Sequence, residues 1–367
     1  MQEIKSRLLK QLDQQIAAAP SPVQAACFKA KRAMLLARHG ALVEAREELT
    51  GLHQLAFQHP HPEIGAWLHM AEGLMSYYTD FSASTQDKVQ RAYAIAKSVG
   101  IGEIEALACA WLAQLAYVRH DLPAMLAHVR TCLQTAAPEH RVARSRACMC
   151  MGLAWHYAGA QELAQPWYAK ARAHAAAEGD DATLSALMYN MAEMRTAEAR
   201  RLALAAPAQA RPELLLGVDS VRHYDAAVGA AAMAGLTPVL RAQILAIQGD
   251  YEQARQLYEE HLPLAMSRGL ERLGSSLLAD LAWCRINCGQ REHALHQARE
   301  AEIELDPRCD VDDRAATHSR LAQVYAALDD QANAQRHTAA AEREWAEFAR
   351  QQQSWREQLA AAALTPS

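Results

Sequence analysis

The sequence predicts an all-α protein built from stacked helix hairpins, on three observations. Alanine is about a fifth of the 367 residues, Leu, Glu, Gln and Arg are abundant, and β-branched residues are sparse. Such a composition loses little side-chain freedom in a helix. A small residue, a turn residue seven positions on and a second small residue five further recur along the chain. Examples are Gly152, Gly159 and Ala164; Ala242, Gly249 and Ala254; Ala282, Gly289 and Ala294; and Ala322, Asp329 and Ala334. The first small residues fall at 33, 73, 113, 152, 192, 242, 282 and 322, so six of the seven intervals are 39 or 40 residues. Each interval reads as a first helix, a tight turn, a second helix and a linker. Small residues let two helix backbones approach, and larger neighbours such as Leu36, Trp155, Leu245 and Tyr325 fill the space between units. One hairpin cannot bury its apolar face alone, so neighbours must stack.

Taken in order, the N-terminal MQEIKSRLLKQLDQQ is amphipathic and precedes the first hairpin, whose grid positions are Ala33, Gly40 and Ala45. HPHPE, from His59 to Glu63, is a proline-punctuated linker. The second hairpin starts at Gly73 and carries about four extra residues between its helices, in TDFSASTQDKV. Gly100 and Gly102 mark a connecting turn. The third hairpin has Ala113, His120 and Met125, with Asp121 and Pro123 placed as an N-cap and a first-turn proline. The fourth holds Gly152, Gly159 and Ala164. The fifth has a long first helix, LSALMYNMAEMRTAEARRLAL, and then a Pro/Ala segment from Ala205 to Gly217 with three helix breakers, Pro207, Pro212 and Gly217. Its second helix is expected over about Asp219–Ala234. Gly235, Thr237 and Pro238 restart the chain as a turn, an N-cap and a first-turn proline. The resulting organisation is N-terminal repeats over 1–204, a break over 205–217, C-terminal repeats over 218–341, and a C-terminal helix and tail over 342–367. The break is either a surface insertion or a hinge beside a groove. In the last segment Trp345, Phe348, Trp355 and Leu359 form one apolar seam, either a cap on the last hairpin or a dimer or docking seam that would allow a homodimer.

The small–turn–small spacing, the second-helix aromatics Tyr168 and Tyr258, and Pro307 after a second helix resemble the tetratricopeptide repeat (TPR) family over roughly residues 20–345. The period near 40 exceeds that family's usual value of about 34 and looks like the long-helix subclass found in MalT-type transcriptional activators and bacterial peptide-pheromone receptors. The resemblance implies a right-handed superhelix of about eight hairpins. It also implies a concave groove, lined by the first helices, that binds a peptide or protein segment. Carried over unit by unit, it marks Trp67, Met70, Leu74, Tyr77 and Tyr78 in the second hairpin, and Gln114 and Tyr117 in the third. It marks Leu153, His156 and Tyr157 in the fourth, Tyr189, Asn190 and Glu193 in the fifth, and Trp283 and Asn287 in the seventh. Such a surface would be aromatic and methionine-rich, as recognition surfaces are. The family's backbone-reading Asn ladder is matched here only by Asn190, within Trp111, Cys150, Asn190, Leu240, Asp280 and Arg320.

The remaining signals narrow the function classes. Thirty-seven basic and 42 acidic residues give a net charge of −5, which argues against a nucleic-acid binder. No run of 18 apolar residues suits a membrane span, and the N-terminus lacks the pattern of a secretory signal. The eight cysteines read as buried, reduced thiols of a cytoplasmic protein. No phosphate loop, HExxH or other strong catalytic or metal motif occurs, so no cofactor, metal or catalytic residue is expected. A non-catalytic protein- or peptide-binding scaffold or regulator is the leading expectation. The alternative is a sensory module of a bacterial signalling or transcription system, reading a peptide or a small molecule; an enzyme on a repeat scaffold comes last.

Overall fold

The computed structural model describes residues 4–80, 84–205, 211–232, 234–267, 273–307 and 309–366. Among the described residues it contains seventeen helices and no strand. They are α1 (Arg7–Ala17), α2 (Pro22–Arg38), α3 (Leu42–Gln58), α4 (Pro62–Asp80), α5 (Ser84–Val99), α6 (Gly102–Val118), α7 (Leu122–Thr135), α8 (Arg141–Tyr157) and α9 (Gln161–Glu178). There follow α10 (Asp181–Ala205), α11 (Pro212–Val228), α12 (Thr237–Gln248), α13 (Tyr251–Ser267), α14 (Gly274–Asn287), α15 (Arg291–Ile303), α16 (Val311–Ala327) and α17 (Gln331–Ala362).

The repeat grid explains the turns. At six hairpins the residue after the turn position donates its N–H to the carbonyl five residues back. These pairs are Ala41 to Leu36, Asp121 to Ala116, Ala160 to Trp155, Asp250 to Leu245, Gln290 to Arg285 and Asp330 to Tyr325, at 2.8–3.0 Å. This closure satisfies carbonyls orphaned at the helix end and requires a left-handed residue between the helices. Gly159 and Gly249 adopt it at φ 74° and 88°, while His120 and Asp329 adopt it at 56° and 69° and carry the steric cost of a Cβ there, roughly 1 kcal/mol. The small residues do the packing. A Cβ on Gly152 would lie 2.6 Å from the ring of Tyr168 on α9, and one on Gly73 would lie 2.9 Å from Val89 on α5. Ala45, Ala164, Ala254 and Ala294 are fully buried on the second helices.

The chain divides into two compact units. Unit 1 runs to Leu187 and takes in His223–Met233 and Ser354–Ser367; unit 2 comprises Met188–Arg222 and Ala234–Gln353. In unit 1, α2/α3, α4/α5, α6/α7 and α8/α9 are antiparallel pairs, and α2, α4, α6 and α8 pack on one another in chain order. The succession brings its last elements back against its first. The Lys5 N–H donates to the Val228 carbonyl at 2.9 Å, the Ala231 N–H to the His39 carbonyl at 2.8 Å, and Arg7 to the Ala176 carbonyl at 2.7 Å. In unit 2, α12/α13 and α14/α15 pair, and α12, α14 and α16 pack in order. One core joins Ala192, Ala199, Leu214, Val218, Leu240 and Ile244 from α10, α11 and α12.

Three sequence expectations change at the level of elements. The second helix of the fifth pair begins at Pro212, not near Asp219, and Gly217 lies inside it. Proline is tolerated in a first helical turn, and the burial of Leu214, Val218 and Val221 offsets a glycine that costs about 1 kcal/mol. Of the Pro/Ala break, residues 206–210 lie outside the described residues; so do residues 81–83 of the second-hairpin insertion. Thr237 is the first residue of α12 and Leu236 its cap, without a side-chain capping bond. Finally, α17 runs unbroken for 32 residues, so the last second helix and the C-terminal helix are one element. Asp121, by contrast, caps α7 as expected, accepting from the Ala124 N–H at 3.1 Å.

Candidate functional site

Side chains three or four apart on a helix share a face. On α6 this places Trp111, Gln114 and Tyr117 together, and on α8 Arg146, Cys150 and Tyr157. The end of α4 brings Tyr77 and Tyr78 to these rows. The Tyr77 ring meets Trp111 edge-on at 5.4 Å, and Tyr78 does so at 6.1 Å. The Arg146 guanidinium lies 3.9 Å over the Trp111 ring, and the Cys150 thiol donates to Gln114 Oε1 at 3.5 Å. From α2, Arg38 hydrogen-bonds to Tyr78 and donates to both carboxylate oxygens of Asp180 at 2.8 and 2.7 Å. Burial opposes the charge of Asp180, yet the Arg38 guanidinium outweighs it and holds the carboxyl below its usual range. Burial raises the Tyr77 hydroxyl pKa and pushes the Cys150 thiol up to about 12, so both stay protonated at neutral pH.

Two turns further along, the same face holds a helix of the chain itself. Trp355, on the part of α17 that belongs to unit 1, is 3% exposed. Its ring lies 4.7 Å from Tyr157, 5.6 Å from His120 and 6.1 Å from Tyr117. Arg356 donates to the Ala158 carbonyl at 3.0 Å, and Leu359, one turn on, is buried.

Unit 2 carries a buried charge cluster. Asp280 on α14 accepts from Nε of Arg200 on α10 and from Nε of Arg320 on α16, each at 2.8 Å. Burial opposes its ionisation, but the two guanidinium groups hold its pKa below the usual value. Arg320 also lies 5.4 Å over Trp283. Nearby, burial and then Asp312 raise Glu193 to about 7, and burial and then Asp310 raise Asp312 to about 6. Glu193 keeps part of its surface accessible, although its carboxyl lies deep among protein atoms.

The sequence-marked residues distribute as follows. In unit 1, Tyr77 and Tyr78 meet Trp111, Gln114 meets Cys150, and Tyr117 and Tyr157 meet Trp355. Trp67 is buried with Lys31 4.8 Å over its ring, and Met70 and Leu74 are buried beside it on α4. Leu153 is buried on α8. His156 turns to its own hairpin partner, its Nδ1 3.3 Å from the Tyr168 hydroxyl. In unit 2, Tyr189 packs on the α10–α12 core and Glu193 faces Asp312. Asn190 is half-buried on α10, Trp283 packs on the α14–α16 core, and Asn287 donates to the Trp283 carbonyl of its own helix at 2.8 Å. The C-terminal seam separates: Trp345 donates its indole N–H to Ser319 at 2.9 Å and stacks edge-on with Phe348, both in unit 2, whereas Trp355 and Leu359 belong to unit 1. Phe348, Trp355 and Leu359 are buried within the chain.

Sequence reasoning missed Arg38, Arg146 and Arg200, none of which lies two before the first small residue of a hairpin, where Trp111, Cys150, Asp280 and Arg320 fall and are buried. Among the described residues no cluster of three His, Cys, Asp or Glu is arranged for a metal, and no helix is long and apolar enough to cross a membrane. All eight cysteines are free thiols, seven of them buried. No family model matches the chain, and no curated protein is detectably similar to it.

Proposed function

We propose that this chain is a non-catalytic binding protein, a TPR-like scaffold or regulator, whose recognition surface is the inner face of α4, α6 and α8 in unit 1. Its partner is a protein or peptide segment. The observation that carries this reading is the seat of Trp355. An α-helix presenting Trp355 and Leu359 one turn apart lies against Tyr117, His120 and Tyr157, so this face already accommodates a helix through an aromatic anchor. Helix-in-groove recognition reads such i, i+4 pairs, and buried aromatic anchors dominate binding energies. Tyr77 and Tyr78, only half-buried, extend the same surface.

Capture experiments with the full chain test the proposal. Trp355→Ala should empty the seat and increase partner recovery. Tyr77→Ala combined with Tyr78→Ala should lose the partner while the helical circular dichroism is kept. An identical partner set for all three chains rejects the reading.

A further inference from the structure

We propose that His318, His337 and Glu302 form a proton-gated latch that fastens α17 to α16 in unit 2 and lets go once both imidazoles are protonated. The latch makes no use of the recognition surface proposed for unit 1. His337, on α17, is 2% exposed. Its Nε2 lies 2.6 Å from Oε1 of Glu302 on α15, and its Nδ1 lies 2.8 Å from Nδ1 of His318 on α16. The His337 ring stacks on Tyr325 at 5.5 Å, and the Tyr325 hydroxyl donates to the other oxygen of Glu302 at 3.0 Å. Three helices therefore converge on one imidazole.

An ionised carboxylate only accepts, so Nε2 of His337 carries its proton. The neutral ring then presents a lone pair at Nδ1, and His318 donates its Nδ1–H to it. One hydrogen fits between two ring nitrogens 2.8 Å apart; two do not. A first added proton enters at Nε2 of His318 and leaves the relay from His318 through His337 to Glu302 intact. A second must enter at Nδ1 of His337, where it sets two N–H groups and two like charges against each other. The pair thus titrates in two separated steps, and the second step breaks the contact. The charged groups around it are Glu302 from α15, and Arg336, Arg343 and Glu344 from α17; Arg314 on α16 is paired with Glu344 at 2.8 Å, and Arg299 on α15 acts on Tyr325. Burial, then His337, lower His318 to about 4, and burial also lowers His337 against its bond to Glu302. A lowered base gives stability that is complete above 6.5 and is lost as pH falls towards 4. Trp345 of α17 reports on the latch, because its indole N–H donates at 2.9 Å to Ser319, the residue after His318.

The test is a pH titration of the full chain, followed by nitrogen spectra of the imidazoles, by the Trp345 indole N–H signal (assigned through Trp345→Phe) and by amide protection in α16 and α17. At neutral pH His318 should carry its proton on Nδ1 and His337 on Nε2. From pH 6.5 to 4 the Trp345 signal should be lost and protection around the pair should fall by roughly 10²-fold. His318→Asn keeps a donor near Nδ1 and cannot be protonated, so both readouts should stay flat across that window. The opposite tautomers, two rings titrating independently near 6.5, a Trp345 signal that persists to pH 4, or the same fall in His318→Asn would each overturn the proposal. The wild-type imidazole spectra decide the matter even where that variant fails to fold.

Discussion

Replacing Asp280 with asparagine keeps the shape of the side chain and removes its charge from between two arginines. Asp280 is 2% exposed and accepts two bonds of 2.8 Å from Arg200 and Arg320, whose side chains are 6% and 5% exposed. At an effective dielectric constant near 20, opposite charges about 4 Å apart attract by about 4 kcal/mol. Removing one member of a buried pair costs about 3–5 kcal/mol because the partner charge stays buried, and here two guanidinium groups would face each other. Asp280→Asn should therefore weaken unit 2 by about that amount. Native-state hydrogen exchange of α14 and α16 measures it locally, with exchange expected roughly 10²–10⁴-fold faster. The sign with pH follows from the lowered pKa of Asp280. Its contribution is complete above the unfolded value of 3.8 and is lost as pH falls through the lower folded value. The variant should lack that acid limb. Exchange in α14 and α16 equal to wild type would refute the reasoning, and an apolar Arg200→Met/Asp280→Leu/Arg320→Met chain, expected near wild-type stability, controls for packing.

Gly152→Ala should destabilise unit 1 although alanine is the better helix former. The new Cβ meets Tyr168 at 2.6 Å, an overpacking cost of about 1–3 kcal/mol set against about 1 kcal/mol of regained propensity. Gly51→Ala, with nothing within 4 Å of its Cβ, should raise the urea midpoint that Gly152→Ala lowers; the same shift in both would show that close approach plays no part. His39 is fully buried with neither ring nitrogen hydrogen-bonded, and burial, then Arg38, lower its pKa to about 4. A lowered base gives stability that is whole above pH 6.5 and drains as pH falls towards 4, about 3 kcal/mol in all. His39→Phe should flatten the stability profile of the chain across that window in urea titrations, and parallel profiles would exclude the buried imidazole as the cause.

The helix pairs and their turns were legible because their causes are local. A small residue, a left-handed turn position and a second small residue decide where two helices may touch, whatever lies beyond. The grid therefore marked Gly152 as a close-packing position, which the structure places against Tyr168, and located His120 and Asp329 as turn residues without glycine. Inward orientation was only half legible. A helix rotates 100° per residue, so His156 and Tyr157 are adjacent in sequence yet one serves its own hairpin and the other faces Trp355.

What the sequence by itself determined is the all-helical class, the spacing of the hairpins and the scarcity of catalytic motifs. Tertiary structure alone decided which charges meet, because Arg38 finds Asp180 across 142 positions and Arg200 finds Asp280 across 80. It also decided that Trp355 and Leu359 cover an aromatic face of unit 1, and that Arg146 stacks on Trp111. Each of these depends on burial and on partners distant along the chain, which no local pattern of residues encodes.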